Sequence, residues 1–242
     1  MGSIFVGGTD TSVGKTLVCG LLLAYLRKQG IEAGYQKWVS TGDTTGAADL
    51  DFCLSTAGMT AVPEEIDLQV PYRFSFPASP HLAAELEGKT VDPEIIVDRW
   101  RRLRARYDIL LVEGVGGLLV PLRRDLLLAD LLARLVMPTL IVARSGLGTL
   151  NHTLLTLEAL RTRAVPILGV VFSDAESQED QMLVADNMRT IAEIGRVEVF
   201  GRLRRVPAYR EARLEESDFE ATGQAVLHRL RQDNLVTKES TT

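Results

Sequence analysis

The amino-acid sequence predicts an α/β fold, a doubly wound and mostly parallel sheet with helices on both faces. Three observations carry that prediction. Apolar runs alternate with helical patterns along the whole chain. The runs are continuous rather than alternating in polarity, as strands covered on both faces require. The first run passes through a glycine-rich turn directly into a helix-like stretch. Such a βαβα rhythm implies right-handed crossovers, and it puts ligands beyond the carboxyl ends of the strands.

The elements follow in order. Ile4-Phe5-Val6 is the first strand, and a helical pattern over 15–29 follows it, stopped by Gly30. A weaker strand spans Ala33 to Val39, followed by a helix over 47–57. The stretch from Ala61 to Pro80 carries Pro63, Pro71, Pro77 and Pro80 and reads as a long irregular loop, which in a compact domain is usually functional. Asp92-Pro93 reads as an N-cap with proline at the first helical position, opening a helix over 93–106. Strands at Asp108 to Val112, Thr139 to Ala143 and Ile167 to Phe172 alternate with helices over 126–135, 150–163 and 178–194. A weak strand at Val197 to Phe200 and a helix over 219–232 complete the pattern. With no linker and no internal repeat, residues 1–234 are expected to form one domain. Residues 235–242 are expected to be a polar tail that frays.

Composition narrows the function classes. A chain of 242 residues with 46% hydrophobic and 24% charged residues has the balance of a soluble globule with a sizeable core. A net charge of −5 argues against a nucleic-acid or anionic-membrane surface. No apolar run approaches the ~20 residues of a membrane span, and no leader pattern opens the chain. Cys19 and Cys53 are the only cysteines, so a disulfide is not expected and a reducing cytoplasm is the default.

Gly8-Thr9-Asp10-Thr11-Ser12-Val13-Gly14-Lys15-Thr16 carries the chemistry. It joins strand to helix, the context in which backbone N–H groups and a helix N-terminus converge on a phosphate. The sheet is therefore expected to be P-loop NTPase-like. Lys15 suits the outer phosphates and Thr16 a Mg²⁺ ion. The loop is longer than the common G-x-x-x-x-G-K-[ST], which would put glycine at position 9, where Thr9 stands. Glu113 ends the most hydrophobic strand, before Gly114-Val115-Gly116-Gly117, where an acid would share the loop's crevice and hold Mg²⁺ directly or through water. The alternative is a solvated acid beside a glycine turn. From spacing alone, Lys37 reads equally as a crevice cation and as a surface lysine at a strand exit. Asp49 and Asp51 read either as Mg²⁺ carboxylates or as acids favouring a helix N-terminus. His81, His152 and His228 show no zinc spacing, and there is no Gly-x-Ser-x-Gly elbow.

Taken together, several segments resemble the ATP-dependent dethiobiotin synthase family. Residues 8–16 resemble its G-T-D-T-x-V-G-K-T loop, and Lys37-Trp38-Val39-Ser40-Thr41-Gly42 is similar to its K-P-V-x-[ST]-G. Phe76-Pro77-Ala78-Ser79-Pro80-His81 resembles its P-x-S-P-H loop, and Val112 to Gly117, with Pro121 following, its V-E-G-A-G-G. Leu147-Gly148-Thr149-Leu150-Asn151-His152-Thr153-Leu154-Leu155-Thr156 is similar to its L-G-x-x-N-H-x-x-L-T. The matches run in order to about residue 175.

The resemblance implies Mg²⁺- and ATP-dependent closure of 7,8-diaminononanoate with CO₂ to dethiobiotin, through a carbamate and a carbamic-phosphoric anhydride. It implies Lys37 and Lys15 as catalytic residues. It implies Thr11 and Thr41 as contacts to the diamine or carbamate, and Asn151 as the contact to the substrate carboxylate across a homodimer interface. Thr16, Asp49 and Glu113 would organise Mg²⁺. Ser12, Val13, Gly14, Lys15, Thr16, Leu17, Asp49, Glu113, Gly114, Val115 and Gly116 would line the phosphates. Ser173, Asp174, Val206, Pro207 and Ala208 would lie on the base side.

Four departures stand out. Trp38 replaces the family's proline, which leaves the indole free to pack over the site. Ser12 stands where many members carry glutamate. Ser173 stands where asparagine often reads adenine, and serine cannot present amide donor and acceptor together. The segment Gly201 to Ala208 is also longer and more basic than the family's G-x-[IL]-P, which opens the site to other nucleoside triphosphates. Partition and septum-site ATPases resemble this architecture but carry a second loop lysine where Asp10 stands here. Cobyrinate amidating enzymes usually add a glutaminase domain, for which too little chain remains. A catalytically silent nucleotide-binding scaffold is the alternative from a different class.

Overall fold

The computed structural model describes residues 2–42, 48–174, 179–206 and 212–236. The first strand, β1 (Gly2–Gly8), leads through the glycine loop into α1 (Lys15–Lys28), and β2 (Ala33–Lys37) and the short β3 (Val39–Thr41) follow. Next come α2 (Ala48–Thr56), α3 (Ile66–Gln69), β4 (Tyr72–Phe74), α4 (Pro80–Leu86) and α5 (Pro93–Arg104). Beyond them lie β5 (Ile109–Gly117), β6 (Pro121–Arg123), β7 (Leu126–Leu127), α6 (Leu128–Leu135), β8 (Thr139–Arg144) and α7 (Thr149–Thr162). The chain continues through β9 (Ile167–Ser173), α8 (Gln181–Gly195), β10 (Val199–Leu203) and α9 (Glu220–Gln232).

Six strands form one sheet in the order β10-β9-β8-β1-β5-β2, with every neighbouring pair parallel. One face is closed by apolar residues of α1, α2 and α9, such as Leu22, Leu50 and Val226. The other is closed by α5, α6 and α7, with Trp100, Leu132 and Leu157. Both faces are thus dry, which explains the continuous apolar runs. The chain leaves β1 toward β2 on one side and later returns to β8 on the other. The crevice at that reversal lies above β1 and β5.

The expected caps are present. Gly30 takes φ 77° after α1, where the N–H of Ile31 bonds back to Leu26 O. Asp92 accepts from the N–H of Glu94, with Pro93 in the first turn.

Two expectations differ from the structure. The stretch 61–80 is not one irregular loop: it holds a 3-10 turn at Pro63–Glu65, then α3, and then β4, which pairs in parallel with β3. Leu68, Gln69, Val70 and Phe74 are buried there. The tail is ordered further than its polarity suggests, since Val236 packs into the core beside α9, although residues beyond 236 lie outside the description. Among the described residues, no helix is long and apolar enough to cross a membrane.

Candidate active site

The glycine loop closes on itself. Ser12 (φ 56°) and Gly14 (φ 94°) both take left-handed backbone, and Gly14 begins α1 with no side-chain cap. The first N–H groups of α1 therefore stay available to an anion. Lys15 folds back over the loop and its Nζ donates to Asp10 O at 2.8 Å. Gly8 permits that path, because a Cβ there would lie 2.8 Å from Nζ.

The loop faces the carboxyl ends of β2 and β5. Register places Lys37 opposite Glu113, and Tyr35, two residues earlier on the same strand face, joins them. Glu113 is fully buried and its carboxylate accepts from three side chains. These are Thr16 Oγ1 at 2.8 Å, Tyr35 OH at 2.7 Å and Lys37 Nζ. Asp49, at the start of α2, accepts from Thr16 Oγ1 at 3.3 Å and from Lys37 Nζ at 2.8 Å. One ammonium thus lies between two carboxylates. Burial alone would depress the Lys37 ammonium, but Glu113 and Asp49 outweigh it and hold the pKa above the ordinary lysine value. Lys37 is a permanent cation here, suited to charge stabilisation and not to proton abstraction. Lys15 behaves oppositely. Burial, with Lys37 adding repulsion and Glu113 only partly offsetting both, brings its pKa down to about 8.

These groups line one cavity of about 570 Å³, a size suited to a cofactor-sized ligand. Of the residues anticipated from sequence, Thr11, Ser12, Val13, Gly14, Lys15, Thr16, Leu17, Lys37, Thr41, Asp49, Glu113, Val115, Gly116, Ser173, Asp174 and Val206 all line it. Gly114 does not. It is buried under the Phe5 ring, whose Cζ would lie 2.5 Å from an added Cβ. Asn151 is exposed in the first turn of α7, outside this cavity. Pro207 and Ala208 lie outside the described residues.

Sequence reasoning missed Val39 and Arg205, which also line the cavity, and Tyr35, which orients Glu113. The signal for Tyr35 was its two-residue spacing from Lys37. Trp38 does not cover the site. It points to the opposite face of the sheet, 1% exposed, with its ring 5.1 Å from that of Phe5 and its Nε1 donating to Gln36 Oε1.

A hard divalent cation fits the donor set. Thr16, Asp49 and Glu113 bring one hydroxyl within hydrogen-bond distance of two carboxylates. Mg²⁺ uses one or two carboxylates and completes its shell with phosphate oxygens and water. Among the described residues no group of three or more His, Cys, Asp or Glu gathers as a metal site.

Comparison with known proteins bears on this cavity. A family model, AAA_26, described as an AAA domain, matches residues 2–213. A Methanococcus vannielii protein named ATP-dependent dethiobiotin synthetase BioD is 36% identical over 198 residues, 82% of this chain and 91% of that protein. A protein of the same name from Anaeromyxobacter sp. strain Fw109-5 is 41% identical over 85% of this chain and 91% of its own. Another, from Rhodopseudomonas palustris strain BisB5, is 42% identical over 83% and 84%. Among solved structures, the MinC:MinD cell division protein complex of Aquifex aeolicus aligns with a TM-score of 0.58 at 14% identity. It covers 100% of this chain and 99% of that one, a likeness of fold alone.

Proposed function

Because the chain belongs to the ATP-dependent dethiobiotin synthetase family, we propose that it is the ligase that closes the ureido ring of dethiobiotin. Its substrates are 7,8-diaminononanoate, CO₂ and ATP, and its place is biotin biosynthesis. The observation that carries this reading is the Lys37 ammonium, fixed between Glu113 and Asp49 and facing the phosphate loop in one cavity.

One amine of the substrate takes up CO₂ and loses a proton, giving a carbamate. A carbamate oxygen attacks the γ-phosphorus of ATP and ADP leaves. The second amine then attacks the carbamoyl carbon, the C–O bond to phosphate breaks, and the ring closes with release of inorganic phosphate and a proton. The obstacle is the approach of one anion to another. Lys15 and Lys37 offset that repulsion and stabilise the charge on the transferring phosphoryl group, and the cavity holds the partners in line. Thr16, Asp49 and Glu113 would hold Mg²⁺, which would neutralise further phosphate charge.

Backbone N–H groups of residues 12–17 cradle the phosphates, and Val115 and Gly116 allow close approach. Thr11 and Thr41 contact the carbamate end of the substrate. The exposed position of Asn151, at the uncapped N-terminus of α7, suits a carboxylate bound across a C₂ dimer interface. We place the enzyme in the cytoplasm. The Trp38 departure leaves the site's machinery intact, because the indole faces away from it, so a silent scaffold is disfavoured.

The test is a mass-resolved assay of the full chain with diaminononanoate, bicarbonate, Mg²⁺ and ATP. Dethiobiotin should appear together with diamine-dependent phosphate release. Phosphate release indifferent to the diamine, with no dethiobiotin formed, would reject the reading.

A further inference from the structure

The base side of the cavity carries a contact that the proposed reaction does not use. Asp174, just past β9, lines the cavity, yet both its oxygens are engaged by the protein. Arg202 on β10 grips it with two bonds, Nε to Oδ1 at 2.7 Å and Nη2 to Oδ2 at 2.7 Å. Ser145 Oγ, after β8, adds a third to Oδ1 at 2.5 Å. Arg202 is itself held by Gln181 Oε1 at 2.8 Å, and Asn187 Nδ2 pins the carbonyl of Ser145 at 2.9 Å. The pair is largely buried, with 13% of the Arg202 side chain and 5% of the Asp174 side chain exposed. A forked guanidinium–carboxylate pair of this kind is among the strongest polar contacts a protein makes. It leaves the carboxylate little capacity to accept from a ligand.

Among the described residues, the other side chains at that rim do not single out one base. The Ser173 hydroxyl lies over Gly14, where an added Cβ would come within 2.5 Å of Oγ. A hydroxyl both donates and accepts, so it suits amino and keto edges alike. Arg205 lines the same rim, and its guanidinium is a donor-only group. Strong discrimination needs a buried group that one ligand satisfies and another leaves unpaired. Asp174 is the charged group of this kind on this rim among the described residues, and Arg202 and Ser145 already occupy three of its acceptor positions.

We propose that Arg202 is a specificity-determining residue: by gripping both oxygens of Asp174 it draws the base-side carboxylate away from a ligand, so the cavity selects a nucleoside triphosphate by its phosphates and not by its base. The inference rests on the reading of the cavity as a nucleoside-triphosphate site.

The test is calorimetric binding of non-hydrolysable ATP, GTP, CTP and UTP analogues to the full chain with Mg²⁺ and no diamine. The four dissociation constants should fall within about tenfold of one another. A preference of 100-fold or more for one base would overturn the proposal while leaving the proposed reaction standing. Binding of none of the four would instead reject the nucleotide site itself.

Arg202→Met frees Asp174 to accept from paired N–H donors, which guanine presents side by side. The spread should widen by tenfold or more in favour of GTP, and Asp174→Ala added to Arg202→Met should flatten it again. Unchanged ratios in a folded Arg202→Met protein, judged by its melting curve, would overturn the role given to Arg202. Should that variant not fold, Arg202→Lys, which keeps the charge but loses the forked grip on both oxygens, reads the same role: a spread as narrow as wild type would overturn it.

Discussion

The two ends of the cavity balance their charges differently. At the phosphate end, Lys37 bridges Glu113 and Asp49 while Lys15 rests on a backbone carbonyl, and these contacts can be exchanged for those of an incoming anion and its metal. At the base end, Asp174 and Arg202 satisfy one another in a closed pair. The difference teaches where each property resides. Charge that can be re-partnered drives chemistry, whereas charge already matched sets shape and withholds recognition. Substitutions at the first end should therefore change turnover and affinity, and those at the second should change selectivity.

The largest effect is expected at Lys37. Lys37→Ala should lower turnover by about 10²–10³, the cost of losing one preorganised charge donor at a reacting centre. ATP affinity should stay within a few-fold, because the loop N–H groups and Lys15 remain. Rapid-quench turnover and calorimetric binding separate the two. Turnover near wild type would remove Lys37 from the mechanism and erase the contrast between the two ends.

Next in size is a change beneath the phosphate end. Trp38→Pro would install the residue that the family carries there, yet it should destabilise this protein by about 3 kcal/mol or more, as loss of a buried tryptophan does. It would empty the space against Phe5 and remove the N–H that reaches Glu113 O at 3.4 Å. A fall in Tm of roughly 6–12 °C follows from that energy for a chain of this size. An unchanged melting curve would mean that the surroundings of Trp38 do not depend on its bulk.

These two neighbours show what the sequence made legible. Lys37, Glu113 and the loop stood at strand ends in short motifs, because a phosphate is gripped by consecutive backbone groups and the strands that flank them. The strand pattern located the crevice for the same reason. Tyr35 could have been found from two-residue alternation, and that alternation also sends Trp38 away from Lys37. The Asp174–Arg202 pair was hidden, because the two residues are 28 positions apart and meet only once β10 is known to lie beside β9. The parallel pairing of Val39–Thr41 with Tyr72–Phe74 was hidden likewise. Three-residue strands carry too little local pattern, and prolines around them read as loop.

A third, moderate effect distinguishes the two lysines of the phosphate end. In the free protein the Lys15 ammonium titrates at about 8, because burial favours the neutral amine. Phosphate needs the charged form. Triphosphate affinity should therefore be flat just below pH 8 and fall as pH rises through it, by at most about tenfold per unit. Lys37 should add no slope in that range, since its carboxylate partners hold it protonated. In Lys15→Arg the guanidinium stays charged, so the slope should vanish even if affinity is lower. Calorimetry from pH 7.5 to 9.5 on both proteins checks this, and an equal slope in both would assign the titration to another group.

The smallest effect concerns two helices that begin alike. α1 and α7 each start from a left-handed glycine, Gly14 at φ 94° and Gly148 at φ 91°, and neither has a side-chain cap. Their surroundings differ. A Cβ on Gly14 would press to 2.5 Å from Ser173 Oγ inside the cavity, whereas a Cβ on Gly148 would meet nothing within 4 Å. Gly148→Ala should therefore cost only the backbone term, about 1 kcal/mol of stability and a few degrees in Tm. ATP affinity should not move, because the α7 terminus lies outside the nucleotide cavity. The KM for the diamine is the sensitive readout, since a shifted first turn would displace Asn151. If Gly148→Ala instead weakened ATP binding, the α7 terminus would belong to the phosphate end, and the division between the two ends would have to be redrawn.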